Sequence, residues 1–176
     1  MASFTGKPGT SSASVPADVK KATIKSESGT TVDLTGGFLL LKYYESLMQD
    51  SIFLDYLFVD TGNTIEGKSL IEGLPVNTSE EFVVEFEDNN DVSLKLDFIV
   101  NKVSPVDFEN KTAVQFNLVT EEFLLNDITS INKRMDGKIS DHIKMILEDE
   151  EYLATEKKLD IEETENNYNF IPNKKK

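Results

Sequence analysis

The chain contains no cysteine. Disulfides and thiolate metal sites are therefore excluded, and nothing in the sequence implies an oxidising compartment. Histidine occurs once, as His142, so a catalytic dyad or a metal centre built on it would need partners that the sequence does not mark. Glycine-rich phosphate loops are missing, since neither GxGxxG nor GxxxxGK[ST] occurs around Gly36-Gly37 or Gly62. No stretch approaches the ~18 consecutive apolar residues of a membrane-spanning helix. The N-terminus lacks a charged start followed by an apolar core, so no signal peptide and no membrane insertion are expected. Basic residues are scarce: 18 Lys and Arg stand against 32 Asp and Glu, a formal net charge of -14. That balance opposes direct nucleic-acid recognition, which relies on clustered Lys and Arg. It suits ordinary solubility, and equally a surface that DNA must pass without sticking.

What is present is a moderate apolar content, 39% with 9% aromatic, enough for a compact core. The richest stretch runs from Thr35 to Asn63. Gly36-Gly37 opens it and Asp60-Thr61-Gly62-Asn63 closes it, so turn chemistry brackets both ends. Between them lie two runs of strand length and composition, Phe38 to Tyr44 and Ile52 to Val59, separated by Met48-Gln49-Asp50-Ser51. The spacing predicts two neighbouring antiparallel strands. In the second, Ile52, Leu54, Tyr56 and Phe58 share one face, while Phe53, Asp55, Leu57 and Val59 share the other. A strand apolar on both faces needs cover on both. Phe53, Leu57 and Val59 are therefore the candidate subunit-contact face.

Taken in order, residues 1–17 are rich in Ser, Thr, Gly, Ala and Pro, as expected of a flexible N-terminal arm. Val19 to Leu34 reads as a hairpin turning at Ser28-Gly29, and Ser69 to Gly73 as a single helical turn. Glu81 to Glu87, Val92 to Val103 and Thr112 to Val119 alternate as half-buried strands, with Pro105 expected to end the second of these. Evenly spaced strands without long intervening helices predict an antiparallel barrel or sandwich over residues 18–125. Beyond Asn126 the pattern turns helical, with Ile139, Ile143, Ile146 and Leu147 on one face and Ser140 as a plausible N-cap. His142 then falls on the flank of that face, at the surface or its boundary. The helix should end at the acidic cluster Glu148 to Glu151. Leu159 and Ile161 suggest one more short strand. Residues 126–176 are thus expected to begin a second domain, in a chain cut from a longer one.

Candidate chemistry is thin. Ser46 in Tyr43-Tyr44-Glu45-Ser46 has no nucleophile elbow around it. The acidic loop Glu87 to Asp91 lacks the glycine and terminal glutamate of a calcium-binding EF-hand. Asp55 and Asp60 could flank a glycosidase cleft, but a strand-surface role is the stronger expectation. No catalytic, cofactor or metal site is expected, and no enzyme activity.

The blocks GGFLLLKYYESLMQDSI, FVDTGNTIEGKSLIEGLPV, DGKISDHIKMIL and KKLDIEETENNYNFIPN resemble the N-terminal part of the baseplate hub subunit of contractile-tailed, T-even-like phages, cyanophage types in particular. The resemblance runs from about Val19 to the end of the chain. It implies a mainly β fold with one or two helices, a tube-type antiparallel β-barrel domain followed by the start of a second α+β domain. It implies a homotrimeric ring whose partners are the tail tube protein, the central spike protein and the baseplate wedge proteins. The location implied is the virion baseplate, after synthesis in the host cytoplasm. The alternative expectation is a monomeric β-barrel module binding a small ligand or sugar. An enzyme acting on the host cell wall ranks third.

Overall fold

The structure, a computed structural model, describes residues 17–49, 51–62, 64–74, 78–88, 92–108, 111–155 and 157–171. The expected N-terminal arm lies outside them, Ala17 excepted. Among the described residues the protein is mainly β with three short α-helices, and its contacts divide it into two compact units. One runs up to Ser46 and resumes over Ile52–Thr120; the other holds Leu47–Ser51 and the chain from Glu121 onward.

The first unit is a single antiparallel sheet. Its strands are β1 (Asp18–Lys25), β2 (Thr31–Asp33), β3 (Phe38–Tyr44), β4 (Phe53–Val59), β5 (Glu81–Glu87), β6 (Ser93–Phe108) and β7 (Lys111–Val119), in the spatial order β2-β1-β5-β6-β7-β4-β3. The hairpin expected between Val19 and Leu34 forms as β1 and β2, and the paired runs after Gly37 form as β3 and β4. Phe82 and Val84 on β5, Phe116 and Leu118 on β7, and Leu54, Tyr56 and Phe58 on β4 all point into one core. Each sits at an alternate position, which is why the period-two pattern located them.

The sheet is rolled, and two lengths require it. β2 and β3 stand at opposite edges, six strand gaps apart, yet only Leu34–Gly37 join them. A flat sheet would separate those edges by ~29 Å at ~4.8 Å per gap, whereas five residue steps span at most ~18 Å. Likewise Tyr56 on β4 and Phe82 on β5 lie three gaps apart, ~14 Å if flat, but their rings meet at 5.3 Å. The rolled edges are not joined by backbone hydrogen bonds: among the described residues β2 and β3 do not pair, so the expected barrel is open. Side chains and the β2–β3 turn do the joining. The Tyr56 hydroxyl donates to the Leu34 carbonyl at 3.0 Å. The Ala22 amide donates to Thr35 Oγ1 at 2.9 Å. Phe38, Tyr56, Phe82 and Phe116 stack as a continuous row at 5.3 to 5.5 Å.

Two expectations about this unit change. Pro105 lies within β6 rather than ending it, opposite Val114. β5 pairs only with Ser93–Ile99, so the later half of β6 has a partner on one side alone. A residue without an N–H fits there at little loss. At the far end of β4, the buried Asp60 carboxylate accepts from the Gly62 amide at 3.1 Å, Thr64 Oγ1 at 3.0 Å and the Leu70 amide at 2.6 Å. This fixes the start of helix α1 (Leu70–Gly73), capped by Ser69, and lowers Leu70 into the core.

The second unit contains helix α2 (Glu121–Ile128), strand β8 (Met135–Lys138), helix α3 (Ile139–Glu148) and strand β9 (Asn167–Phe170), with β8 and β9 antiparallel. The strand expected at Leu159 and Ile161 does not form; β9 follows it instead. Ser140 is not the N-cap of α3, which begins one residue earlier after Lys138. Its side chain is buried and, with its own amide, exchanges hydrogen bonds with Thr164 at 3.2 to 3.4 Å.

The two adjacent glycines are not equivalent. A Cβ on Gly37 would lie 2.3 Å from the Phe58 ring and 2.8 Å from the Val59 carbonyl oxygen, whereas one on Gly36 would meet nothing within 4 Å. Gly37→Ala is expected to cost about 1–3 kcal/mol through overpacking, and Gly36→Ala to stay within about 0.5 kcal/mol of the parent. Urea unfolding of both variants checks this, and equal losses would contradict it.

Candidate functional site

The candidate contact face is the outer surface of β3, β4 and β7. Backbone register places Leu40, Leu57 and Gln115 in one row, Lys42, Asp55 and Asn117 in the next, and Tyr44, Phe53 and Val119 in a third. The middle row is polar: Asn117 Nδ2 donates to Asp55 at 2.5 Å, and the Tyr44 hydroxyl reaches the same carboxylate at 3.5 Å. The flanking rows are apolar but for Gln115, and Val119 at the β7 end of the third is already buried, 1% exposed.

Phe53, Leu57 and Val59, the expected contact residues, are each half-buried. β3 is more open. It is an edge strand with one neighbour, β4, and carries Leu39, Leu40 and Tyr44 at 37%, 42% and 45% exposure. Alternation along β4 marks its two faces but does not show that β3, beside it, stands at the sheet's edge. Edge position depends on strand order, which residue alternation does not encode. A seven-residue edge, apolar but for the exposed Lys42, is a template for another strand where its outward N–H and C=O groups are unpaired. A bulge at Leu39 is its one local irregularity.

On the inner face of β3, Tyr43 donates to Glu45 at 2.9 Å. Burial, and then that carboxylate, push the Tyr43 phenol up to about 12, which keeps it a neutral donor at physiological pH. Tyr56 is raised further, by burial and then the Asp33 charge. Both tyrosines are structural. Asp60 is committed to the loop it organises and Asp55 to Asn117, so the two carboxylates serve separate local networks.

His142 was expected on the flank of α3 and is instead buried, 7% exposed, with its ring edge-on to Phe170 at 5.5 Å. Of the four expected inward residues, Ile139 and Ile143 are exposed, while Ile146 and Leu147 are half-buried. Ser140 and His142 lie on different sides of the helix, Ser140 bonded to Thr164 and His142 against the Phe170 ring of β9, and neither imidazole nitrogen finds a hydrogen-bond partner among the described residues. The four-residue repeat of isoleucines marked an apolar stripe correctly but not the side that is covered. Among the described residues no group of three or more His, Asp and Glu is placed to hold a metal ion, and no helix is long and apolar enough to cross a membrane.

No protein-family model matches the chain, and no curated protein is significantly similar to it.

A buried, unpartnered imidazole costs about 1–3 kcal/mol in lost solvation. His142→Leu, of similar volume, is accordingly expected to stabilise the protein by about 1 kcal/mol, read as a higher thermal midpoint by circular dichroism. A lower midpoint would show that the imidazole makes a bond worth keeping.

Proposed function

We propose that this chain is a structural assembly subunit: the N-terminal part of the central hub ring in the baseplate of a contractile phage tail, joining the tail tube to the spike. The observation that carries the reading is the exposed apolar edge of β3. A second copy of the chain laying a strand against it would satisfy its free backbone groups and cover Leu39, Leu40 and Tyr44 in one step. The half-buried outer face of β4 lies directly beside that edge and extends the same surface. In this reading the partners are two further copies in a homotrimer, the tube protein above, the spike below and the wedge proteins around, in the virion baseplate. The sequence blocks that resemble phage hub subunits supply the particular assembly. The net charge of -14 suits a ring through which DNA slides without adhering. A ligand-binding barrel finds less support, since Tyr56, Phe82 and Phe116, all fully buried, fill the interior of the rolled sheet.

Sedimentation at micromolar concentration tests the reading. The protein is expected to run at three times the 19.8 kDa of one chain. Leu40→Lys, which places a charge on the open edge, is expected to run at the monomer mass with an unchanged circular dichroism spectrum. A parent protein that stays monomeric throughout would contradict it.

A further inference from the structure

We propose that the second unit holds a binding site for a small neutral amphiphile, a short aliphatic chain with an uncharged hydroxyl or amide head. The proposal is independent of the hub reading. A cavity of about 330 Å³ is bounded by α2, the C-terminal part of α3 and the segment leading to Leu159. That is the lower end of the ~300–1,000 Å³ typical of ligand pockets, and far larger than the water-sized voids a packed interior leaves. Leu147, Leu153 and Leu159 form its apolar walls.

The polar groups decide the ligand's charge. Glu122 accepts from Lys157 Nζ at 2.8 Å and from Thr155 Oγ1 at 3.1 Å. Burial works to raise the Glu122 carboxyl, but hydrogen bonds led by that from Lys157 outweigh it and hold the group below the ordinary 4.5. The ion pair is therefore formed at neutral pH. A carboxylate head entering the cavity would meet Glu122, and an ammonium head would meet Lys157. The two charges of the pair cancel, so either ion gains little attraction there while shedding its hydration. A hydroxyl or amide head sheds less. Thr155 Oγ1 donates to Glu122 and accepts from the Lys157 amide at 3.3 Å, which leaves one lone pair for an incoming donor.

Saturation-transfer NMR on the full chain tests this with three probes of equal length: hexan-1-ol, hexanoate and hexylammonium. Hexan-1-ol is expected to bind saturably in the millimolar range, about tenfold tighter than either ion, because an ion loses more hydration on entering an apolar cavity. Leu153→Asp and Leu159→Asp, each placing a charge on the apolar wall, are expected to abolish the hexan-1-ol signal while keeping the parent circular dichroism spectrum. Should neither variant fold, the ranking of the three probes on the parent chain decides alone. Equal affinity for all three, no saturable hexan-1-ol binding, or unchanged binding in a folded charged-wall variant overturns the proposal.

Discussion

The row of rings running from Phe38 through Tyr56 and Phe82 to Phe116 is the constraint on which the first unit depends. An antiparallel sheet of seven strands has no need to curl this tightly; twist alone would leave it open. Here the rings come from strands that a flat sheet would hold far apart, and their mutual burial pulls those strands together. Tyr56 makes the arrangement directional. Its hydroxyl has to be satisfied once the ring is buried, and the Leu34 carbonyl that satisfies it belongs to the short crossing between the two sheet edges. Gly37 lets that crossing lie against the Phe58 ring. Aromatic packing, one hydrogen bond and one missing side chain thus act together on the same few residues.

Rolling by side chains rather than by a closed backbone ladder has a consequence at the edges. A closed barrel has no free strand, whereas this sheet keeps two. β2 is three residues long, short enough to offer little template. β3 is seven residues long and apolar but for the exposed Lys42, and a bulge at Leu39 interrupts it. An edge of that kind on a protein that stays alone is an aggregation hazard. On a ring subunit it is the means of joining the next copy, and this is the physical content of the assembly reading.

The sequence disclosed strands wherever one face is buried and the other wet. β5 and β7 alternate because the core demands it, and the β3–β4 pair is bracketed by turn residues that leave the chain few options. What depends on strand order was not legible: that β3 ends the sheet, that β6 continues through Pro105 on a one-sided stretch, and that the barrel stays open. Nor were the weak elements of the second unit. α2 is eight residues, and β8 and β9 are four each, too short for periodicity to rise above chance. In α3 the apolar stripe argued for burial, yet its Ile139 and Ile143 are exposed while Ser140, bonded to Thr164, and His142, against the Phe170 ring, are covered. Of the candidate contact surface, Phe53, Leu57 and Val59 were named from their alternation. Leu39, Leu40 and Tyr44 needed the strand order before they could be placed.

The most direct test of this account is amide hydrogen exchange across Phe38–Tyr44, measured on the same protein at dilute and at concentrated conditions. If the open edge of β3 receives a strand from a second copy, its outward amides exchange freely when dilute and become protected as concentration rises, while those of β5 and β7 do not change. If exchange in β3 is the same at both concentrations, the edge has no partner of its own kind, and the assembly reading fails.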